Sequence, residues 1–217
     1  MDLNEPRSGK VIRQILDGVL TDKLDEWMST ERFIRRSGSM TYTRRCAEAT
    51  QKLELTMQLH PSDNREASAA VYPQIVVSMP AVEAKVAELI GEQASLAGYG
   101  GPLRQPLEWL SEKKASARWF VFQQQSVPAI VDDLREFLGC YAMPFLDSYQ
   151  TPDDLILAFN HGRQCVPMTD EQTLRIGAAM LLVGRIENAR KLFGDRFGKA
   201  GRRAMFSPVL SFVGWCS

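Results

Sequence analysis

The sequence predicts an α+β fold, in which a mostly antiparallel sheet of four to five strands is packed by helices and followed by a C-terminal helical subdomain. Polar and apolar residues alternate in KLELTMQL, residues 52–59, which is typical of a strand with one face in a core and one in water. After residue 125, apolar residues recur at three- and four-residue steps, which is the period of an amphipathic helix. We therefore predict an α+β domain over residues 1–150 and a helical subdomain over 151–217.

The N-terminal third contains a helix and three strand-like segments. Apolar residues at helical spacing predict one helix over residues 8–28, with Ser8 as its N-cap. Ser37-Gly38 lies between two short segments rich in Phe, Ile, Thr and Tyr, which indicates a β-hairpin. The segment VYPQIVVSM, residues 71–79, alternates like a strand, and Pro73 favours an edge strand or a bulge because proline lacks a backbone donor.

The middle of the chain alternates between helix and strand signals. Apolar spacing predicts a helix over about 80–92, and SARWFVFQ, residues 116–123, is apolar enough for a strand that is covered on both sides. Ser126 is placed to cap a helix that begins at Val127. Asp132 and Glu136 share one exposed stripe of this helix, and Asp133 lies beside it. The predicted buried side consists of Val127, Ile130, Val131, Leu134, Phe137, Leu138 and Tyr141. The glycine-rich GYGGPLRQP, residues 98–106, lacks the lysine and the following helix that a phosphate-binding loop needs, so we predict a flexible connection there.

Helix start signals recur in the C-terminal subdomain. In TPDD, Thr151 is predicted to cap a helix whose first turn holds Pro152 and two aspartates, and Thr169 starts another helix in the same way. Residues 172–197 then predict two helices that are joined near Gly184-Arg185, and the small residues Gly177, Ala178 and Ala189 would allow these helices to approach closely. This pair resembles one tetratricopeptide-type helical hairpin, but no second copy follows, which argues against a solenoid.

Composition narrows the possible environments of the protein. Lys plus Arg and Asp plus Glu both total 26, so no chain-wide field draws the protein to nucleic acid or to a membrane. The cysteines are far apart and form no CxxC pair, which favours free thiols in a reducing compartment: Cys46, Cys140, Cys165 and Cys216. The N-terminal residues contain no apolar run of the secretory type, and the apolar segments are too short for a bilayer. We expect a cytoplasmic protein.

A basic segment, ERFIRRSGSMTYTRR, interrupts this neutral background with five arginines in residues 31–45. Alternation assigns Phe33 and Arg35 to one face of the predicted hairpin, and Ile34 and Arg36 to the other. The arginines then form a solvated sheet face over apolar neighbours, which is the interpretation we favour. The alternative is a contact surface for phosphate or nucleic acid.

The order of these elements resembles a bacterial family, domain-of-unknown-function family 4304. Its members have a long helix followed by a short motif of the form GF-(K/R)-(K/R)-x-G-x-x-(F/Y/W)-x-R. The matching residues here are Phe33, Arg35, Arg36, Gly38, Tyr42 and Arg44. Arg32 stands where the family has glycine, and the resemblance covers roughly residues 10–138. The family implies no established activity, but some relatives are encoded beside toxin–immunity genes, which implies a role in such pairs.

The sequence offers few residues for catalysis. His161 and Cys165, in NHGRQC, are the types that form an activated thiolate, but no third group is placed to orient them. The other histidine, His60, stands alone, so no metal-ligand spacing is present. We predict no catalytic residue, no cofactor and no metal, and hence a protein that is not an enzyme.

Acidic residues cluster between residues 126 and 171, whereas the tail over 185–203 is basic. Helix capping accounts for several of these acids without any partner. An acidic surface is also what a protein needs to bind a cationic, nucleic-acid-cleaving partner. The predicted partner-binding residues are Asp132, Asp133, Glu136, Asp147, Asp153 and Asp154.

These observations favour one function over two alternatives. The leading hypothesis is a protein-binding inhibitor, an immunity protein that neutralises a toxin delivered by a bacterial secretion system, with a nuclease as one such toxin. The first alternative is a nucleic-acid-binding module that uses the arginine hairpin of residues 32–45 and the basic C-terminal tail. The second is a thiol or hydrolytic enzyme around Cys165 and His161.

Overall fold

The computed structural model describes residues 5–111, 119–161 and 168–215. An antiparallel sheet with helices, including a C-terminal helical region, confirms the predicted α+β class. The chain divides into two compact units. The first consists of Met1–Arg44, Gln51–Val76 and Arg104–Leu146, and the second of Arg45–Thr50, Val77–Leu103 and Asp147–Ser217.

Helices and strands are both present up to residue 121, and the described elements after it are helical. The strands are β1 Ile34–Arg35, β2 Thr41–Cys46, β3 Ala49–Leu59, β4 Ala69–Ser78, β5 Leu103–Pro106 and β6 Trp119–Val121. The α-helices are α1 Glu5–Lys23, α2 Asp25–Thr30, α3 Pro80–Ile90, α4 Val127–Phe137, α5 Met143–Asp147, α6 Pro152–Asn160, α7 Asp170–Leu182, α8 Ile186–Phe197 and α9 Ser207–Phe212. Short 3₁₀ turns cover Ala94–Gly100, Leu107–Leu110 and Gln124–Ser126, and a π-helical turn covers Leu138–Ala142.

The sheet follows the order β1-β2-β3-β4-β5, and β6 also pairs with β4. The predicted hairpin is present, because β1 and β2 pair in antiparallel fashion with Arg35 opposite Tyr42. Of the two alternatives that Pro73 favoured, the edge strand is wrong, since β4 has β3 on one side and β5 and β6 as further partners; the bulge stays a prediction. Pairing with β6 ends at Val71, so the missing donor of Pro73 lies beyond that ladder.

The first unit has its core between the sheet and the packed pair α1 and α4. Inward residues of β3 confirm the predicted alternation, since Leu53 and Leu55 are buried, while burial fades towards Leu59 at the strand end. The helices contribute apolar residues at three- and four-residue steps to this core: Leu16, Leu20, Val127, Val131 and Leu134.

Two helix boundaries and one helix cap in this unit differ from the prediction. The helix predicted over residues 8–28 is divided at Leu24, although backbone hydrogen bonds from Leu24 to Leu20 and from Met28 to Leu24 continue across the junction. Ser8 lies inside α1 and is not its N-cap, because the helix already begins at Glu5. Ser126 precedes α4 but its hydroxyl donates to the carbonyl of Gln123, so it caps no helical N–H group.

The second unit is helical. Helix α7 packs against α3, α6 and α8, and α9 contacts α3 and α8. Thr151 forms a capping box with Asp154 at the start of α6, and Thr169 accepts a hydrogen bond from Gln172 N–H at the start of α7, so both predicted start signals are confirmed. Residues from Phe206 to Val213 bury apolar side chains in this unit.

The hairpin of α7 and α8 depends on glycine at two points. Gly184 joins the helices with φ of 79°, a conformation that other residues seldom adopt. A Cβ atom at Gly177 would lie 2.1 Å from the ring of Phe193, so the close approach predicted for this glycine is confirmed. The glycine-rich segment of residues 98–106, which follows α3, is not wholly a connection, because Leu103–Pro106 pairs in the sheet as β5.

The structure describes part of the last predicted strand segment, and the prediction about bilayer-spanning segments can be compared with the described helices. Strand β6 covers residues 119–121 of the strand predicted over 116–123, and residues 116–118 lie outside the described residues. In the portions that the structure describes, no helix is long and apolar enough to span a bilayer.

Candidate functional site

The arginine-rich hairpin has two sides of different character. Arg35 points inward, with only 2% of its side chain exposed. Its Nε and Nη2 atoms donate to the two carboxylate oxygens of Asp25, each at 2.8 Å, and it also forms an ion pair with Asp17. Tyr42 donates its hydroxyl to Asp25 at 2.6 Å. The guanidinium of Arg35 therefore joins the α1–α2 junction to the hairpin through charge-assisted bonds.

This cluster changes the acidity of its members. Burial alone would raise the pKa of Asp25, but the hydrogen bonds from Arg35 and Tyr42 outweigh it and lower that pKa below its ordinary value. The hydrogen bond to Asp25 raises the pKa of Arg35, and burial, together with the same carboxylate, raises the pKa of the Tyr42 hydroxyl. All three groups thus keep the ionisation state that holds the cluster together.

Arg44 is the second inward arginine and is also buried. Its Nε donates to Gln51 Oε1 at 2.7 Å, and Gln51 in turn donates to the carbonyl of Leu146 at 2.6 Å. The guanidinium lies over the ring of Phe33, 4.7 Å from its centroid. This arginine is therefore part of the core of the first unit.

The prediction that the arginines form a solvated face is wrong for Arg35 and Arg44. The remaining three, Arg32, Arg36 and Arg45, are exposed. Alternation along the hairpin had separated Arg35 from Arg36, and that separation is confirmed. The error arose because an inward arginine needs carboxylate and amide partners that are distant in sequence, and these become visible only after folding.

Of the two residues considered for thiol chemistry, the structure describes only His161. His161 ends α6, is exposed, and donates its backbone N–H to the carbonyl of Leu157. Cys165 lies outside the described residues. Among residues 5–111, 119–161 and 168–215, no group of three or more His, Cys, Asp or Glu residues is placed to hold a metal ion.

Three of the predicted partner-binding acids lie together on α4. Asp132, Asp133 and Glu136 are all exposed. Asp132 forms an ion pair with Lys23 of α1 at 2.5 Å, and Asp133 accepts a hydrogen bond from the indole N–H of Trp119. Within the described residues, Glu136 has neither a hydrogen bond nor an ion pair. Its carboxylate is the least engaged of the three.

Helical geometry extends this exposed line into the π-helical turn that follows α4. At about 100° per residue, positions 132, 133 and 136 of α4 lie on the side opposite the buried Leu134. The wider π-helical turn continues this line through positions 139 and 140, while Leu138 is buried. Gly139 and Cys140 are exposed as well. We call this line the α4 ridge, and its members are Asp132, Asp133, Glu136, Gly139 and Cys140.

Aromatic side chains lie on both sides of the α4 ridge. On one side, Trp27 lies under the guanidinium of Arg135, at 5.7 Å from its ring centroid. On the other side, Phe137 and Tyr141 are half-buried neighbours whose centroids are 4.7 Å apart, and Trp119 meets Phe137 edge-on at 5.7 Å. The sequence had assigned Phe137 and Tyr141 to the buried side of the helix. The π-helical turn Leu138–Ala142, which has no sequence signal, follows Phe137 and contains Tyr141.

The other three predicted partner-binding residues belong to the second unit and have structural roles. Asp153 forms an ion pair with Arg185 at 2.8 Å. Asp154 accepts the N–H group of Thr151 in the capping box of α6. Asp147, the last residue of α5, is exposed, and its carbonyl accepts a hydrogen bond from Gln150. The structure therefore unites Asp132, Asp133 and Glu136 on one helix and gives the others separate settings.

Two cavities were not predicted from the sequence. In the first unit, an open cleft of about 330 Å³ is lined by Thr56, Tyr72, Pro73, Gln74, Pro106, Leu107 and Glu108. In the second unit, a cavity of about 10 Å³ borders the buried Arg175, which donates to Glu171 and to the carbonyl of Gly101. Burial lowers the pKa of Arg175. A cavity of this size holds about one water molecule.

Comparison with known proteins adds no relative. The chain matches no family profile, no curated protein and no solved structure. The resemblance to domain-of-unknown-function family 4304 stays a prediction.

Proposed function

We propose that this protein is a binding protein that neutralises a cationic protein partner through the α4 ridge, as an immunity protein does with its toxin. The observation that carries the proposal is the exposed acidic line formed by Asp132, Asp133 and Glu136 on one helix. The resemblance to a family with relatives beside toxin–immunity genes supports the same role. A toxin delivered by a bacterial secretion system, such as a nuclease with a basic cleft, has the charge that this line complements.

Electrostatics explains why a local line of charge is useful to a chain with no net charge. A neutral chain creates little field at a distance, so attraction depends on where its charges lie. Exposed carboxylates on the rim of an interface raise the association rate, and those that become desolvated on binding slow dissociation. Glu136 is the best candidate for the second role, because its carboxylate would gain a partner without losing one.

The hairpin has fewer exposed arginines for the nucleic-acid alternative than the sequence suggested. Arg35 and Arg44 are buried and held by partners within the first unit, so they present no charge to a phosphate backbone. Only Arg32, Arg36 and Arg45 of the hairpin face solvent. Non-specific nucleic-acid binding grows with the number of phosphates that a surface neutralises, and the hairpin offers three cations where five were counted.

The proposal is tested by capture of the partner and by charge reversal. The wild-type protein is used to capture its partner from the native host, and the captured protein is then expressed with either wild-type protein or a variant in a cell-survival assay. We expect Glu136→Lys to reduce protection, and Asp132→Lys, Asp133→Lys and Glu136→Lys together to abolish it. Thermal melting of each variant separates loss of binding from loss of folding, because Asp132 and Asp133 have intramolecular partners.

The matched control reverses three exposed acids elsewhere, Asp22, Glu66 and Glu92, to lysine. This control changes net charge by the same amount and should keep most of the protection. If the ridge variant melts normally and protects cells as well as wild type does, the ridge is not the interface. If the protein captures nucleic acid in place of a protein, and high salt releases it, the nucleic-acid alternative replaces the proposal.

A further inference from the structure

The α4 ridge is an exposed helix face with an unusual neighbour, a pair of half-buried aromatic rings. Phe137 and Tyr141 lie beside Glu136 and Cys140, on the opposite side of the ridge from Trp27. Half-exposed aromatic residues at the centre of a polar surface are typical of interface hot spots, because they supply contact area at low entropic cost. The charge on the ridge then decides which kind of side chain would cover these rings.

A cationic side chain fits this combination better than a neutral apolar one. A cation over the face of an aromatic ring is attracted by the ring quadrupole, and the carboxylate of Glu136 one turn away balances its charge. The chain contains the same contact in its own structure, since the guanidinium of Arg135 lies over Trp27 at the opposite side of the ridge. Because the guanidinium of Arg135 already covers the ring of Trp27, the rings of Phe137 and Tyr141 are the ones available to a cation of the partner.

Arginine is favoured over lysine by geometry. A guanidinium is planar, stacks on a ring, and still directs N–H groups in its plane towards a carboxylate. An ammonium group is compact and strongly hydrated, so it gains less from a ring. Exposed Cys140, beside Tyr141, has a short side chain, whereas Gly139 lies on the Trp27 side of the ridge, where a Cβ atom would be 3.8 Å from the Trp27 ring.

We infer that the α4 ridge recognises an arginine-bearing segment of a protein partner, with the guanidinium against Phe137 and Tyr141 and its charge on Glu136. The inference rests on the proposed function and specifies the chemistry of its partner. The inference requires arginine and not positive charge alone, so a lysine-bearing segment of equal charge should bind less tightly.

Peptide binding tests the inference without the natural partner. A blocked peptide with three arginines separated by glycines is titrated against the full-length, isotope-labelled protein and is compared with its lysine counterpart. We expect the arginine peptide to bind about fivefold more tightly. The amide resonances of Glu136 to Tyr141 should shift more than those of the rest of the protein. Equal affinities for the two peptides, or shifts that centre elsewhere, would overturn the inference.

Two further measurements locate the contact. Tyr141→Leu keeps an apolar side chain but removes the ring, and it should weaken the arginine peptide about fivefold while the lysine peptide changes less. The matched control is Phe212→Leu, which removes a different half-exposed ring and should have no effect. In a footprinting experiment, the bound arginine peptide should slow alkylation of Cys140 by iodoacetamide. An unprotected Cys140 under saturating peptide contradicts the proposed location, whether or not Tyr141→Leu folds.

The outcome is separable from that of the proposed function. If the captured toxin binds normally to Tyr141→Leu, the toxin uses another surface, and the inference fails while the inhibitory function stands. If the arginine peptide binds as expected but no protein partner protects or is captured, the inhibitory function fails while the recognition of arginine stands.

Discussion

Replacement of Arg35 by methionine should destabilise the protein far more than the same change at its neighbour Arg36. Both residues lie in the same basic hairpin and carry the same charge. Arg35 has 2% of its side chain exposed and binds the carboxylates of Asp25 and Asp17, whereas Arg36 faces solvent. Methionine retains much of the aliphatic volume of arginine, so the comparison isolates the loss of the guanidinium.

The magnitude follows from the bonds that are lost. A hydrogen bond to a charged group contributes about 1.5–3 kcal/mol, and removal of one partner of a fully buried ion pair costs about 3–5 kcal/mol. The side chains of Asp17 and Asp25 are 31% and 33% exposed, so water compensates them in part after the change. We therefore expect Arg35→Met to lower the free energy of unfolding by about 3 kcal/mol, and Arg36→Met to change it by less than about 0.5 kcal/mol.

Chemical denaturation of the two variants and of wild type, at pH 7 and at pH 3, measures both the cost and its origin. The folded pKa of Asp25 lies below its unfolded value, so its contribution to stability is complete above about pH 4 and is lost as pH falls through the folded pKa. The difference in unfolding free energy between wild type and Arg35→Met should therefore shrink at pH 3. Equal stability of Arg35→Met and Arg36→Met at pH 7 would refute the assignment of Arg35 to a structural cluster.

Two further substitutions test the helical unit by the same denaturation measurement. Gly177→Ala should destabilise the protein by about 1–3 kcal/mol, because the new Cβ meets the ring of Phe193. Its control, Gly18→Ala, lies in an open helical position and should stabilise the protein by up to about 1 kcal/mol. Equal effects of the two changes would show that α8 moves freely away from α7. Thr151→Ala should lower the free energy of unfolding by about 1 kcal/mol through loss of the capping box. Ser126→Ala should lower it by less, since that hydroxyl caps no helical N–H group. A larger loss of stability for Ser126→Ala than for Thr151→Ala would contradict the capping assignment.

Local rules were sufficient wherever a few neighbouring residues decide the structure. Alternation in residues 52–59 predicted β3, and Thr151 and Thr169 predicted the starts of α6 and α7, because strand polarity and helix capping depend on residues within one or two turns. The close approach at Gly177 followed from residue size alone. The same rules placed Asp132, Asp133 and Glu136 on one exposed face of a helix, as observed.

The failed predictions for Pro73, Arg35 and Arg44 involve partners outside their own strand, whereas the one for Ser126 involves a competing acceptor three residues away. A lone proline in a strand cannot reveal that β6, some fifty residues later, pairs with the start of β4 and leaves Pro73 beyond that ladder. Ser126 has the right residue type for a cap, but its hydroxyl donates to Gln123 instead of accepting from the helix. Local preference is weak compared with tertiary contacts, which is why such positions are decided by the whole fold.

The sequence by itself determined the fold class, the starts of α6 and α7 and the acidic face of α4, since these depend on periodicity and on short-range chemistry. Only the tertiary structure decided which arginines of the hairpin are buried and which are exposed. Arg35 and Arg36 are identical in type and adjacent, yet one is held by Asp17 and Asp25 and the other faces water. A guanidinium can be buried only where folding brings carboxylates to it, because its desolvation must be offset by charge-assisted bonds, and that meeting is a property of the assembled chain.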